Sequence, residues 1–292
     1  MDSQVPNPQA ETADGVECFE YSPDSRLVLD FFTRQGGVSP APYDSLNASS
    51  AVGDDARNVK ENLARARQAV GVRSILLMKQ VHSDQILTIT GERTPPRPLE
   101  ADACITDRAG LALGLTVADY LPVYIYGAYA DCIGIAHCGW RGTAARIAEK
   151  TARQMSRRFA VPLPGLRFAL GPCICPACYS VGNDVRDQFS RTLPAADRFF
   201  APVTGTSEAA GYRLDIRAAN RWLLKELGLA ESQPLELCTC ENAALLYSAR
   251  RSRTTGRNLA VITLRASRER DQGIEDSGVP ASGHSTPGIL ES

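Results

Sequence analysis

Apolar residues recur at helical spacing in three stretches of the chain, residues 56–71, 142–160 and 216–228. The first stretch follows two aspartates and ends at Gly71, and the third ends at Gly228. Aspartate before a helix and glycine after it are residue types that cap helices. The pattern therefore predicts three helices.

Short apolar runs between the helices are typical of strands. Residues 73–90 predict one or two β segments, and residues 131–140 predict another. Residues 116–127, TVADYLPVYIYG, have the pattern of a buried strand that Asp119 and Tyr120 interrupt. Because a buried carboxylate is costly unless a partner compensates for it, this interruption is a candidate functional position.

Both ends of the chain have the composition of disordered tails. Residues 1–16 are polar and contain proline, and residues 268–292 are rich in Gly, Ser, Pro and acids without periodicity. No internal repeat or clean linker divides the rest. We therefore expect one α+β domain over residues 17–267, in which outer helices cover paired sheets.

Composition narrows the classes of function. The chain has 32 basic and 33 acidic residues and a net charge of -1, so no broad field attracts it to nucleic acid or to an anionic membrane. The acidic N-terminus does not have the pattern of a signal peptide, and no apolar run has membrane length, which predicts a cytoplasmic protein. Nine cysteines, an odd number, fit reduced thiols better than a disulfide framework.

The chain has only three histidines, and one of them, His284, falls in the C-terminal tail. His82 and His137 each end an apolar run, with Cys or Asp residues close by. Such a pair is compatible with a metal site and equally with two hydrogen-bonded structural histidines. The residues alone leave both interpretations open.

Two arginines beside glycines are candidates for binding an anion. Gly139 and Gly142 flank Arg141 at the expected start of a helix, where free backbone N–H groups favour a phosphate or carboxylate. A simple strand-to-helix turn explains the same glycines. Arg257 follows Gly256 in a basic run that is otherwise typical of a solvated face.

Five cysteines occur in two short motifs, as Cys173, Cys175, Cys178, Cys238 and Cys240. Thiols so close in sequence are candidates for a zinc or iron–sulfur site. Their spacing matches neither pattern well, which favours a Gly- and Pro-rich loop lined with small thiols.

Seven blocks of the sequence, taken in order, resemble the multicopper polyphenol oxidoreductase or laccase-domain family, whose members are viewed as purine nucleoside phosphorylases. The blocks are FFTRQGGVSPAPYDSLN, VGDDARNVKEN, KQVHSD, ADACITDRAGLALGLTVADYLPV, IAHCGWRGTAARI, GPCICPACYSVG and RRSRTTGR. They cover nearly all of residues 29–264. The resemblance implies a single-domain α/β/β/α sandwich of mixed sheets with outer helices.

The resemblance also implies an activity and a cofactor. The activity is phosphorolysis of adenosine, inosine and methylthioadenosine to the free base and ribose 1-phosphate, with adenosine deamination beside it. The family's pocket holds zinc on two histidines and a cysteine, and the matching positions here are His82, His137 and Tyr120. Copper-dependent oxidation of phenols, also described for the family, is less expected, because such copper sites need more histidines than these two.

Tyr120 departs from the family pattern. A phenol has a pKa of about 10 and ligates zinc uncommonly, whereas a thiolate binds zinc at about 2.3 Å. Tyr120 therefore ligates as phenolate, or a thiol of Cys138 or Cys104 replaces it, or zinc is weakly bound or absent. Strand neighbours point to opposite faces, which argues against Cys138 beside His137. Loss of zinc would leave a degenerate member that binds a nucleoside or protein partner without turnover.

The same resemblance suggests roles for the other polar positions. Asp119 would accept or return protons, and Arg141 would hold and orient phosphate. Four further residues are expected near the pocket as substrate contacts, namely Arg34, Asn47, Gln80 and Arg257. Structural hydrogen bonding within loops explains these four residues equally well.

Overall fold

Two six-stranded β-sheets form the framework of the computed structural model, which describes residues 10–91, 99–203, 211–232 and 235–265. Strands are numbered in chain order. From edge to edge, the first sheet contains β1 (Glu11–Ala13), β2 (Val16–Asp24), β3 (Leu27–Phe32), β15 (Asn258–Leu264), β7 (Ala112–Val117) and β4 (Ile75–Leu77). The second sheet contains β14 (Ala230–Glu231), β10 (Leu166–Leu170), β8 (Leu121–Gly127), β9 (Ile133–Cys138), β6 (Ala103–Thr106) and β5 (Ile86–Ile89). A small third sheet contains β11 (Ser180–Val181), β13 (Tyr212–Leu214) and β12 (Phe200–Pro202).

Both large sheets are mixed. In the first sheet β4 pairs parallel with β7, whereas β15 pairs antiparallel with β3 and with β7. In the second sheet β5 pairs parallel with β6, and β8 pairs antiparallel with β9 and with β10. The prediction of mixed sheets is therefore confirmed.

Alternation along β15 shows how the two sheets pack. Ala260, Ile262 and Leu264 belong to the core between the sheets, whereas Leu259 and Val261 point to the opposite face, as the two-residue period of a strand requires. The second sheet supplies aromatic and β-branched side chains to the same core, among them Tyr124, Tyr126, Ile133 and Ile135.

Helices cover the outer face of each sheet. Helix α1 (Ala56–Val70) packs on the first sheet through residues such as Ala66. The second sheet is covered by α3 (Ile147–Phe159) and α5 (Ile216–Glu226), which share one apolar core with it. Two shorter helices, α2 (Trp140–Ala144) and α4 (Asn183–Thr192), lie beside them. The predicted α/β/β/α sandwich is confirmed.

Two of the three predicted helices have the expected ends. The Asp55 side chain caps α1 by accepting a hydrogen bond from the Arg57 backbone N–H at 2.8 Å. Gly71 and Gly228, which follow α1 and α5, adopt the left-handed conformation with φ of 73° and 81°. Helix α4 has no counterpart among the predicted helices.

The second predicted helix, residues 142–160, is wrong in one respect. The chain breaks between α2 and α3, because Arg146 adopts the left-handed conformation with φ of 61°. Arginine is a good helix former, so nothing in the residue types marks this break. The break separates the five-residue α2 from the 13-residue α3, and both helices pack against the second sheet.

Residues 116–127 are not a single interrupted strand. Strand β7 ends at Val117 in the first sheet, and β8 begins at Leu121 in the second. Ala118–Tyr120 cross from one sheet to the other, with Asp119 at a φ of 99°. The strand prediction was wrong because the polar pair occupies the crossing and not a ladder position. The one or two β segments predicted for residues 73–90 are two strands, β4 and β5, which belong to different sheets.

The predicted N-terminal tail, residues 1–16, is wrong from residue 11 onward. Glu11–Ala13 pair with β2, and Val16 is fully buried. Residues 1–9 lie outside the described residues, as do the predicted C-terminal tail 268–292 and its His284. Within the described part of the chain, no helix has the length and apolar character needed to cross a membrane.

We predict that Ile262→Ala lowers the free energy of unfolding by about 2–5 kcal/mol, because it removes buried carbon atoms from between the sheets and leaves a cavity. Urea denaturation of the purified protein measures this change. The control is Tyr129→Ala at a side chain that is 90% exposed, where a change within about 0.5 kcal/mol is expected. Equal losses in both variants would contradict the central position of Ile262.

Candidate functional site

One cavity of about 1280 Å³ is lined by His82, His137, Asp119 and Tyr120. His137 lies near the end of β9, and His82 lies in the connection between β4 and β5. Asp119 and Tyr120 form the crossing between the two sheets. The cavity is larger than the roughly 300–1,000 Å³ of most small-molecule sites, so it has room for a ligand made of two parts.

Three rings meet in the lining of this cavity. The centroids of His82 and His137 lie 5.4 Å apart, and that of Tyr120 lies 5.4 Å from His137 and 5.9 Å from His82. Two imidazoles that bind one tetrahedral zinc ion through nitrogens at about 2.0–2.1 Å have centroids about 5 Å apart. The two histidines therefore fit a shared metal ion.

Asp102, which immediately precedes β6, holds both histidines. Its Oδ1 accepts a hydrogen bond from the His82 backbone N–H at 3.1 Å and lies 3.1 Å from His137 Nδ1. Its Oδ2 accepts hydrogen bonds from the backbone N–H groups of Val81 at 3.2 Å and Ser83 at 2.7 Å. The carboxylate is fully buried, so one acid fixes the 81–83 loop and the His137 ring together.

The protonation state of Asp102 follows from these contacts. Burial alone would raise the pKa of this carboxyl group, but the hydrogen bonds from His137 and from the Ser83 backbone outweigh burial and lower the pKa to about 2. With Nδ1 of His137 facing an ionised carboxylate, Nε2 is the nitrogen available to a ligand. Such a carboxylate–histidine pair is typical of metal sites.

His82 is held in the left-handed conformation, with φ of 56°. Burial and then the neighbouring His137 lower the pKa of His82, which favours the neutral imidazole that metals require. One donor atom from each of His82, Asp102 and His137 lies within 4.8 Å of the others. This group of three residues can hold a metal ion.

Tyr120 packs flat against Gly139, where an added Cβ would lie 2.7 Å from two carbons of the phenol ring. Its phenol lies close to that of Tyr179, and burial and then the nearby Tyr120 raise the pKa of Tyr179 above its usual range. The Tyr179 hydroxyl is buried and has the Tyr120 phenol as a neighbour. The Tyr120 ring thus lies beside both imidazoles, where the family resemblance places a cysteine.

Neither of the two candidate replacement thiols belongs to this group. Cys104 lies in the core between the sheets, where burial raises its pKa to about 12. Cys138 lies on the helix side of the second sheet, where burial raises its pKa above the usual range. The expectation that Cys138 or Cys104 replaces the family's cysteine is therefore wrong, because strand alternation turns Cys138 away from His137.

Asp119 and Gln80 both line the cavity, but they are already engaged. The carboxylate of Asp119 accepts hydrogen bonds from Thr239 Oγ1 at 2.7 Å and from the Arg250 backbone N–H at 2.6 Å. The side-chain oxygen of Gln80 accepts one from Thr116 Oγ1 at 3.0 Å. Asp119 therefore holds the sheet crossing in its left-handed conformation, and each of its two carboxylate oxygens already accepts one hydrogen bond.

Arg257 lines the cavity, and Asn47 supports it from behind. The Asn47 side-chain oxygen accepts the Arg257 backbone N–H at 2.9 Å. The Arg257 guanidinium donates only to carbonyls of its own loop, at Thr255 and Gly256, and burial lowers its pKa. No carboxylate pairs with it among the described residues, so this cation is available to an anion.

Arg34 lies outside the cavity lining, contrary to the expected substrate contact. Its guanidinium donates to the Asp44 carbonyl and carboxylate and to the Ala243 carbonyl, and it stacks over Tyr247 at 4.8 Å. Every nitrogen of Arg34 is thus used to fix two loops. The structural interpretation of this residue accounts for its position.

Arg141 lies beside the histidines, in a small cavity that it lines with His82, Tyr120 and His137. Its guanidinium stacks over the Trp140 ring at 4.2 Å. The long helix expected to begin here is only the five-residue α2, so the positive charge at this point comes from the Arg141 side chain itself.

Sequence reasoning missed Asp102 and Tyr179. The signal for Asp102 was present, because it is an acid at the start of the apolar run DACI, where a buried carboxylate needs partners. No comparable signal marked Tyr179. A second group of potential metal ligands, formed by Cys175, Cys178, Cys238 and Glu241, lies outside this cavity.

Comparison with known proteins identifies relatives of this chain. Residues 28–265 match the family model described as multi-copper polyphenol oxidoreductase laccase. Purine nucleoside phosphorylase YlmD of Geobacillus stearothermophilus is 34% identical over 253 residues, 82% of this chain and 91% of the relative. Purine nucleoside phosphorylase PA4543 of Pseudomonas aeruginosa is 35% identical over 232 residues, 80% and 91% of the two chains. The crystal structure of YlmD from Geobacillus stearothermophilus superposes with a TM-score of 0.77 at 32% identity, covering 89% and 100% of the two chains.

We predict that Asp102→Asn destabilises the protein in a pH-dependent manner. The pKa of Asp102 in the folded protein, about 2, lies below its ordinary value of 3.8, so the stabilisation by this carboxylate is present above about pH 4 and is lost as the pH falls toward 2. Urea denaturation from pH 7 downward measures the difference between wild type and variant, which should shrink over that range. Asp187→Asn, at an exposed helix position, is the control. A difference that stays constant with pH would contradict the role of the ionised carboxylate.

Proposed function

This chain belongs to the multi-copper polyphenol oxidoreductase laccase family, and we propose that it acts as a purine nucleoside phosphorylase. The relatives that carry this name are about one-third identical to it and are covered over 91% of their length. The proposed substrates are inorganic phosphate and a purine nucleoside, with adenosine, inosine and methylthioadenosine as the candidates.

The observation that carries the proposal is the unpaired cation Arg257. It lines the same cavity as His82, and both Arg141 and Arg257 help to lower the pKa of His82. Arg250 and Arg253 add positive charge to the lining. A cavity with several arginines and one engaged carboxylate favours an anion such as phosphate.

In phosphorolysis, a phosphate oxygen forms a bond to the anomeric carbon of the ribose while the bond from that carbon to the purine nitrogen breaks. When both substrates are bound in one cavity, the reaction between them becomes effectively unimolecular, which lowers its entropic cost. We assign phosphate to Arg257 and Arg141, and the nucleoside to the side of the cavity formed by Gln80 and Tyr179. Asp119 has a positioning role in this proposal, because Thr239 and Arg250 occupy its oxygens.

We further propose zinc as the metal, held by His82 and His137 with Asp102 orienting the rings. A bound zinc ion would supply the Lewis acidity that the proposed side activity, adenosine deamination, requires. Two imidazoles hold zinc less tightly than the three-ligand sets of established catalytic sites. The strength of zinc binding therefore depends on whether the Tyr120 phenol supplies the third ligand.

Tyr120 also supports a second candidate, a family member that binds a nucleoside without turnover. Its hydroxyl lies near Tyr179, and no thiol replaces the expected cysteine in the histidine group. The two candidates predict different behaviour for variants at this position, as described below.

We predict that wild-type protein releases hypoxanthine from inosine only when phosphate is present. Arg257→Gln should raise the KM for phosphate about 10- to 100-fold, since a hydrogen bond to a charged group contributes about 1.5–3 kcal/mol. Arg153→Gln, on the outer helix α3, is the matched control and should leave that KM unchanged. Absence of phosphate-dependent release by the wild type would overturn the phosphorylase proposal.

We predict that Tyr120→Cys binds zinc more tightly than wild type, because a thiolate completes the ligand set. Competition with a chromophoric chelator measures the affinity, and the zinc lost on His82→Ala is assigned to this site. Tyr120→Phe keeps the ring without the hydroxyl and should show no gain. If Tyr120→Cys turns over inosine and the wild type does not, the wild type is the nucleoside-binding member without turnover. If wild type and Tyr120→Cys bind zinc with equal affinity, the Tyr120 phenol is a full zinc ligand.

A further inference from the structure

Thiols cluster where the loop after β10 meets the loop after β14, outside the cavity described above. Sulfurs of Cys175, Cys178 and Cys238 and a carboxylate oxygen of Glu241 all lie within 4.8 Å of one another. Cys240 adjoins the group, and burial, then Cys175 and Cys240, raise the pKa of Cys178 above its usual range. The two loops therefore bring four cysteines and one acid to the same point.

Short contacts join the members of this cluster. The Cys175 backbone N–H donates to Cys238 Sγ at 3.3 Å. The thiols of Cys175 and Cys178 donate to the same carboxylate oxygen of Glu241 at 3.5 Å and 3.7 Å. Four ligands of a tetrahedral zinc ion with Zn–S bonds of about 2.3 Å have sulfurs about 3.8 Å apart, so these donors need to move little to bind one ion.

Packing alone does not explain the cluster. Cys173, in the same loop, is buried in the outer core and behaves as a small apolar residue. Cys175, Cys178 and Cys240 are only partly buried. Partly exposed thiols that face one another and a carboxylate gain little from apolar burial, whereas soft thiolate donors select zinc.

The backbone presets the positions of the ligands. A short turn at Pro176–Cys178 directs two cysteines to one side, with the Cys178 N–H donating to the Cys175 carbonyl at 3.0 Å. A parallel bridge between Cys173 and Cys238 aligns the second loop. Cys175 and Cys178 are thus separated by two residues, a spacing that is common in structural zinc sites.

Positive groups flank the cluster. The Arg251 side chain donates to the carbonyls of Thr239 and Cys240 at 2.8 Å each. The Arg213 side chain donates to the Ala177 carbonyl, inside the first cysteine motif. These guanidinium groups compensate the negative charge that several thiolates and a carboxylate carry when they bind a divalent ion.

The same two loops hold the sheet crossing at Asp119. The Ile174 N–H donates to the Asp119 carbonyl at 2.9 Å, and Thr239 Oγ1 donates to its carboxylate at 2.7 Å. Ile174 directly precedes Cys175, and Thr239 directly follows Cys238. An ion that ties these cysteines together would therefore fix both contacts to the crossing.

We propose that Cys175, Cys178, Cys238 and Glu241 bind a structural zinc ion. The ion clamps the two loops and thereby holds the Asp119 crossing that lines the cavity. It is separate from the histidine group and does not depend on the proposed phosphorylase activity.

The test is metal analysis of the intact protein combined with cobalt substitution. Purified wild type should retain about one zinc ion per chain at this cluster. The Cys175→Ser/Cys178→Ser variant should lose this zinc, and the His82→Ala variant should keep it. Cobalt-loaded wild type should show the near-ultraviolet charge-transfer band of cobalt–thiolate bonds, which the histidine group cannot produce because it contains no thiol. The Cys175→Ser/Cys178→Ser variant should lack this band and melt at a lower temperature.

Cys132→Ser, at a buried thiol of the β8–β9 hairpin, is the matched control and should keep the zinc and the band. Glu241→Gln, a milder variant, should retain zinc more weakly than wild type, and it serves if the double variant does not fold. The proposal is overturned if cobalt-loaded wild type has no thiolate band. It is also overturned if intact mass shows a disulfide among these cysteines in protein purified without oxidant, because such a bond consumes the ligands.

Discussion

The arrangement of the candidate site depends on the buried carboxylate of Asp102. It accepts hydrogen bonds from the backbone N–H groups of a tight loop on one side and faces the His137 imidazole on the other. A fully buried charge is tolerated only when such partners compensate for its lost hydration. The partners come from the β4–β5 connection and from β9, so the charge ties a loop to a strand of the second sheet. One carboxylate thereby fixes the positions of both histidines relative to each other.

The second constraint is the passage of the chain from one sheet to the other at Ala118–Tyr120. Peptide groups in this passage belong to no ladder, so side chains and neighbouring loops must satisfy them. The Asp119 carbonyl accepts the Ile174 N–H, and the Asp119 carboxylate accepts hydrogen bonds from Thr239 and Arg250 of neighbouring loops. The crossing also brings Tyr120 against the imidazoles. The segment that connects the two sheets therefore also forms one wall of the cavity.

Much of this organisation was predictable from the sequence. Helix α1 has strong caps and a regular apolar face, and the family resemblance predicted the sandwich and the meeting of His82 with His137. The break at Arg146 was not predictable, because it results from tertiary packing and no residue type opposes a continuous helix. The strand assigned to residues 116–127 failed because apolar periodicity does not distinguish one long strand from two strands in different sheets. Asp102 was missed because a carboxylate that orients other groups has no motif of its own.

The buried hydroxyl of Tyr179 couples two positions of the cavity wall. Burial and then the neighbouring Tyr120 raise the pKa of Tyr179 above its usual range, so this phenol stays protonated at neutral pH. A substitution at Tyr120 therefore changes the surroundings of Tyr179 as well. The effects of changes at these two positions are consequently not additive.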